Sequence, residues 1–480
     1  MYHKAVYKTC YFVRGTSIQK EALSVIMRNS ISLKMNHKGL FSGREIFQLI
    51  WPLILDLFLT FFVGMLDSIM VSSVNESAVS AISLIDQIIQ LVIMVFSAMA
   101  AGGAVIAGQY LGADQKDAAR RSAWQLVWLM FLTGAVLCLL LLFFRHAILD
   151  LVFGDITDLV YAYSDKYLII TAFSVPMLAV HQAGASVFRT MGNSRTPMLI
   201  SVMMNVVNFS GNAFLIYKMG MDTDGAGIST LLSRSAAAVV ITILLLNPKH
   251  LIHYEKTFRY RPDTKLIRKI LYVGIPNGLE NGMFQLGKIL LLSLVSTFGT
   301  SAITANAITQ NVAQLQLIPA FAVNMAVTTI ISRCVGYGDM EQVRYYNRIL
   351  LFIMYATSLL TAYTIYFSMP LILNLYHASG KTAALTMTMV NWHTFAAVSL
   401  WPLSFEIPQA LRSSGDVKFT MLTSILIMWC VRITGAYILA FRTGAGAAAP
   451  WIAMVIDFVF RTVIYQIRWH SGKWTDKKVI

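Results

Sequence analysis

The chain has 480 residues, of which 57% are hydrophobic and only 13% charged, with a formal charge of +15. A soluble domain is about half apolar and about a quarter charged. Too few ionised side chains are present to coat the water-facing domains that this length would imply. A soluble enzyme, a secreted disulfide scaffold and a disordered protein are therefore excluded. The mean hydropathy of +0.64 spreads the apolar excess along the whole chain, and a polytopic membrane protein remains.

The chain begins with a basic tail to residue 44 that has scattered charge and no continuous apolar run. Neither a cleavable signal peptide nor firm order is expected there. A span needs about 20 mostly apolar residues. Twelve follow, near 47–71, 83–108, 122–144, 161–185, 197–217, 225–247, 270–296, 306–330, 349–369, 388–410, 419–441 and 446–467. They show no period-two alternation, so helices are expected rather than barrel strands. The tenth is the weakest, because Trp392, His393, Trp401, Pro402 and Glu406 interrupt it.

The longest polar stretch, 248–269, divides the spans six and six. The domains read as a cytoplasmic tail (1–44), an N-lobe (45–247), a linker (248–269), a C-lobe (270–467) and a C-terminal tail (468–480). With the N-terminus inside, 30 of the 38 Lys and Arg fall on the cytoplasmic side and five outside, while Arg234, Lys288 and Arg432 lie within spans. This positive-inside bias predicts a multi-pass plasma (inner) membrane protein with both termini cytoplasmic. It also explains the charge without nucleic acid. The cysteines at 10, 138, 334 and 430 have no metal-binding or disulfide spacing.

The halves are a repeat. A shift of 224 residues puts Pro52 on Pro276, Asp56 on Glu280, Gln90 on Gln314, Gly112 on Gly336 and Arg120 on Arg344. At a shift of 223, RTMGNSRTPML (189–199) falls on RSSGDVKFTML (412–422). Two six-helix halves of one orientation form a parallel repeat around an axis normal to the membrane. A cleft between such halves opens to either side when they rock.

PLILDLFLTFFVGMLDSIMVSS, with Pro52 fifteen residues before Asp67, resembles the first span of the multidrug and toxic compound extrusion family. So do Gly192–Pro197 (GNSRTP) and the LRSSGD stretch at 411–416. The match runs over about 45–465. The resemblance implies a V-shaped bundle of two lobes around a central cleft, and export of drugs or toxins driven by H⁺ or Na⁺. It also implies a cation site at Asp67, with Asn208 and Asn212 where many members carry N-x-x-x-D, and with Thr230 of span six supplying a hydroxyl.

Ionisable groups inside a membrane cost about 2.5–3.5 kcal/mol each on insertion scales, so each needs a reason. Asp56 and Asp67 are eleven residues apart, three helical turns, and share one face of span one. Asp56 is read as lying near the cytoplasmic mouth; with Glu280, Lys288 and Glu406 it forms a possible second proton or substrate site. Asn205, Asn208 and Asn212 make an amide stripe on span five; Asn205 reads as helix glue, the other two as partners of Asp67. Asp86, Gln90, Gln310 and Gln314 read either as cleft lining or as glue. Asp457 and Arg461, four apart, are expected to pair near the inside face. His181 and His393 are expected to be packing residues.

No P-loop occurs, so an ion gradient drives transport or transport is passive. The expected function is a secondary antiporter, not an enzyme, that exports amphipathic, cationic organic compounds by alternating access. A flippase for a lipid-linked precursor is the alternative. No cofactor or structural metal is expected; H⁺ is favoured over Na⁺ because a single carboxylate stands among neutral amides. The expected partners are the bilayer and a small organic substrate, and the chain is expected to act as a monomer.

Overall fold

The computed structural model describes residues 39–72, 76–154, 157–254, 261–378 and 380–480, and the side chains within them other than those of 65–69, 71, 72, 152 and 153. The expectations for the basic tail as far as residue 38 and for the Asp67 side chain lie outside the described residues. The twelve spans appear as α1 (Gly43–Ser72), α2 (Glu76–Gly112), α3 (Lys116–Phe143), α4 (Asp158–Thr190), α5 (Arg195–Lys218), α6 (Asp222–Leu245), α7 (Thr264–Ser296), α8 (Thr300–Tyr337), α9 (Met340–Leu375), α10 (Gly380–Ser399 and Trp401–Ser414), α11 (Val417–Arg442) and α12 (Ala449–His470). A short helix, Arg145–Phe153, follows α3. Ten of the described helices are long and apolar enough to cross a membrane. The two that fall short are α7, which carries Glu280 and Lys288, and α10, which is split at Leu400.

Local chemistry explains where the helices stop and bend. The side chains of Asp263 and Asp339 cap α7 and α9 by accepting from the amides two and three residues on, at 3.0–3.2 Å. Gly338, at φ +91°, closes α8 with a left-handed residue. Helix α10 breaks at Leu400 because Pro402, in the first turn of its second half, has no amide hydrogen and cannot continue the ladder. Wide π turns interrupt α5 at Ala213–Lys218 and α11 at Ile427–Ile433, the same span of each half.

Each lobe has its own core. Phe96, Met130, Leu168, Val175, Phe188 and Ile241 fill the first, from α2, α3, α4 and α6. Ala326, Ile330, Leu350, Met354, Trp401 and Phe458 fill the second, from α8, α9, α10 and α12. The outer faces remain apolar: Phe143, Ile243, Leu360 and Phe367 are all exposed, as a lipid-facing belt requires. The first turns of α1 and α7 are exchanged between lobes. Ile46, Leu49 and Ile50 sit in the second core, while their repeat mates Ile270 and Val273 sit in the first. The lobes meet at the end that carries the C-terminal tail. There Lys269 Nζ bonds Tyr110 Oη (3.0 Å), Gln109 Nε2 donates to the Ser413 carbonyl (3.0 Å), and Lys478 Nζ donates to the Gly336 carbonyl (3.0 Å).

Two glycines allow that closure. A Cβ at Gly112 would run into the carbonyl of Arg333, and one at Gly336 into the carbonyl of Gln109. Helices α2 and α8 therefore cross backbone to backbone, as small residues permit in membranes.

Candidate ion and substrate site

Closure at one end leaves a cavity of about 940 Å³ between the lobes, walled by residues of both. That is at the upper end of pockets that hold small organic ligands. Its apolar walls include Phe284, Phe321, Trp401, Phe405, Trp451 and Phe458. Gln90, Gln310 and Gln314 line it; Asp86 lies off the wall itself, and its charge acts on Arg234, which lines it.

Two acids line the cavity, and they are repeat mates. Glu280, on α7, accepts from Arg412 Nη1 of α10 at 2.7 Å, and both side chains are 13% exposed. Gln409 Oε1 takes Arg412 Nε and Nη2 at 3.2 and 2.9 Å, so the guanidinium is held flat between a carboxylate and an amide. Asp56, on α1, is half-buried, with Oδ1 shielded from solvent and without a hydrogen bond. Arg189, the mate of Arg412, lines the same cavity, and its charge and that of Asp56 act on one another. Asp56 is thus part of the cavity wall and not a solvated residue at the mouth. Arg189 and Arg412 likewise belong to helices facing the cavity rather than to cytoplasmic loops.

The second lobe adds a buried charge network. Arg461 Nε bonds Asp457 Oδ1 at 2.7 Å, and its Nη atoms reach the hydroxyl and the carbonyl of Ser424 at 3.0 Å. Arg432 Nη1 approaches the other Asp457 oxygen only to 3.6 Å. The expected pair of Asp457 and Arg461 forms, but as part of a triad in the cavity wall and not at the inside face. Lys288 faces the cavity and sits over the Phe284 ring, 5.2 Å from its centroid. Glu406 departs from its expected place: it is fully buried beside α9 and away from the cavity, and neither carboxylate oxygen has a hydrogen bond. Pro402 kinks α10 and turns Glu406 into the lobe interior, while Trp401, Phe405 and Gln409 turn to the cavity.

His181 and His393 are buried, as packing residues should be. His393 Nδ1 bonds Gln316 Oε1 at 3.0 Å, and its ring meets Trp451 edge-on. Both histidines also reach the cavity wall.

The amide stripe of α5 meets α6 in the first lobe. Asn212 Nδ2 donates to Asn208 Oδ1 (3.3 Å), Asn208 Nδ2 donates to Thr230 Oγ1 (3.3 Å), and Ser229 Oγ donates to the Asn208 carbonyl (2.6 Å). Gly211 lets α6 come this close, since a Cβ there would strike Ser229. Tyr217 Oη donates to the Met70 carbonyl at 3.3 Å and ties α5 to α1, three residues beyond Asp67. Asn208, Asn212 and Thr230 form one cluster, separate from the large cavity.

Residue-by-residue reading missed Arg189, Arg412 and Arg461 as cavity groups. The signal lay in the repeat: Asp56 and Glu280 are mates, and so are Arg189 and Arg412. Two matched acids and two matched bases within spans mark one element built twice.

Two parallel six-helix lobes enclosing a largely apolar cavity with charged groups in its wall, closed at one end, define a membrane transporter. The MatE family model matches residues 52–214 and 276–438, two matches that start 224 residues apart, the shift of the internal repeat. The chain belongs to the MatE family, the multidrug and toxic compound extrusion transporters. It is 24% identical over 440 residues to an uncharacterized transporter, YisQ, of Bacillus subtilis, covering 90% of this chain and 95% of the relative. It is 25% identical over 453 residues to a probable multidrug resistance protein NorM of Thermotoga maritima, covering 91% and 94%. A solved structure described as the outward-facing conformation of a multidrug resistance MATE family transporter of the MOP superfamily has a TM-score of 0.82 at 18% identity. It covers 89% of this chain and 96% of that one, and the fold is the same.

Proposed function

We propose that this chain is a secondary antiporter that exports amphipathic organic compounds in exchange for H⁺, by rocking its two lobes about the central cavity. The observation that carries the reading is the cavity itself, large enough for an organic molecule and sealed at the end where the C-terminal tail lies. The basic residues of that end support a cytoplasmic placement, with the compound leaving on the other side. Relatives named as multidrug resistance proteins support export of small organic molecules and do not favour a lipid-linked precursor. One chain supplies both walls, which suits a monomer.

Coupling is assigned to Asp67, with Asn208, Asn212 and Thr230 as its neighbours. The family resemblance and the hydrogen-bonded amide cluster on the adjoining helices both support this reading. One carboxylate among neutral groups changes from −1 to zero on taking a proton. Na⁺ would have to exchange its water for oxygens carrying a single formal charge. Asp56 and Glu280, held opposite cations, are the second candidates.

The test uses vesicles containing the purified chain and a fluorescent amphiphile, with either a pH or a Na⁺ gradient imposed. A pH gradient should drive efflux, and Asp67→Asn should insert and fold but lose it. Full pH-driven efflux by Asp67→Asn would move coupling to Asp56 and Glu280; efflux driven by Na⁺ alone would overturn the choice of ion. For topology, single cysteines at Asp222 and Thr300 should react from outside and one at Lys116 should not.

A further inference from the structure

The cavity wall carries more positive than negative charge. Arg189, Arg234, Lys288, Arg412, Arg432 and Arg461 line it, against the carboxylates of Asp56 and Glu280. Glu280 neutralises Arg412. Asp457, just behind the wall and fully buried, is engaged by Arg461 at 2.7 Å. Asp56 offsets Arg189 and Asp86 offsets Arg234, which leaves Arg432 and Lys288 over. Arg432 is 8% exposed, its Nε is buried without a partner, and its nearest carboxylate oxygen is 3.6 Å away, beyond a good hydrogen bond. Lys288 has no carboxylate within 4 Å among the described residues. Both cations reach the Phe284 ring, Lys288 at 5.2 Å and Arg432 at 5.6 Å from its centroid.

Two like charges on one ring, walled by low-dielectric helices, repel one another unless an anion comes between them. A guanidinium with unused donors is shaped to take a planar or tetrahedral oxyanion through two parallel hydrogen bonds. Beside them lie Trp451, Met428 and Met454, with Trp401, Phe405 and Phe458 in the same wall. These are apolar surfaces for a hydrophobic body, and the methionines can repack around different shapes.

We propose that Lys288 and Arg432, with Phe284 between them, form a subsite for the carboxylate, sulfonate or phosphate of an amphipathic organic anion, whose apolar body rests on the aromatic wall. The subsite deepens the export reading above and rests on it for direction of transport, but not for binding. The sequence reading expected cationic substrates. It did not count Arg189, Arg412 and Arg461, which the folded chain brings to the cavity.

The experiment compares two probes with the same body and opposite charge, naphthalene-2-sulfonate and trimethyl(2-naphthyl)ammonium. Binding to the full-length protein in phosphatidylcholine nanodiscs is measured by equilibrium dialysis without any gradient. The sulfonate should bind about tenfold or more tightly than the ammonium. Lys288→Met, which breaks no ion pair, should remove most of that preference, Lys288→Arg should keep it, and Arg432→Gln should weaken sulfonate binding in the same way. Tighter binding of the ammonium, no binding of either probe, or an unchanged preference in Lys288→Met would overturn the subsite. Displacement of the sulfonate by adding phosphatidylglycerol to the discs would support it, with an anionic lipid as competitor; indifference to that lipid would support a free anion as occupant. Gradient-driven efflux of each probe from vesicles is scored separately. A chain that binds the sulfonate but drives neither probe out fails as an exporter and keeps the subsite. One that exports only the ammonium keeps the export reading and loses the subsite.

Discussion

Glu280 and Arg412 show what a buried ion pair asks of its residues. Each is nearly removed from water, and each satisfies the other. Replacing one member leaves a charge with no partner, which costs about 3–5 kcal/mol, whereas replacing both with apolar groups of similar size is close to neutral. Glu280→Gln should therefore lower the thermal midpoint of the purified protein and impair transport. Glu280→Met with Arg412→Met should regain most of the stability without regaining transport. A single variant as stable as the parent would show that the pair adds nothing to the fold. Lys288→Ala should leave the midpoint nearly unchanged, because Lys288 has a ring beneath it and no carboxylate to abandon.

At the scale of the element, α1 and α7 stand apart from the other spans. Each begins in one lobe's core and continues along the other lobe. Near the passage stand Pro52 and Pro276, which deny a hydrogen bond to the carbonyls of Gln48 and Tyr272. A helix that must follow two moving bodies bends most readily where its ladder is already interrupted. Pro52→Ala should restore one bond, raise the thermal midpoint, and slow transport; pulsed hydrogen exchange over 48–56 should show more protection. Equal exchange in both proteins would remove Pro52 as the point of bending.

These elements were legible to different degrees in the amino-acid sequence. Length and hydropathy located all twelve spans, because a bilayer leaves a helix few other solutions, but several helices run six to nine residues past the apolar stretch, as in α9 (Met340–Leu375) against 349–369. The matched pairs of Pro52 with Pro276 and Asp56 with Glu280 exposed the repeat. The exchange of α1 and α7 was not legible, since it depends on which core receives Ile46 and Ile270, and both cores are equally apolar. Glu406 was misplaced for a related reason. Helical spacing says which residues share a face, but the kink at Leu400 re-aims the faces on either side of it.

On the scale of the whole molecule, the sealed end is a set of specific contacts rather than a broad apolar surface. Gly108 abuts Ser332, and a Cβ there would meet the serine hydroxyl. Gly336→Leu should prise that end open. Its side chain cannot fit beside the Gln109 carbonyl, so it should admit thiol reagents from the sealed side to residues that the parent protects.

The same crossing has a consequence for assembly. Gly112 lies against Arg333, and Gly336 lies against Gln109; in the repeat register Arg333 is the mate of Gln109 and Gly336 the mate of Gly112. A surface on which one residue meets a second on a copy, while the second meets the first in return, is isologous, the mark of a two-fold dimer. The 480-residue chain thus contains, joined by a linker, the interface that a six-span polypeptide would use to pair with itself. The two subunits of such a pair would insert in the same direction and meet glycine to carbonyl on both sides of one axis.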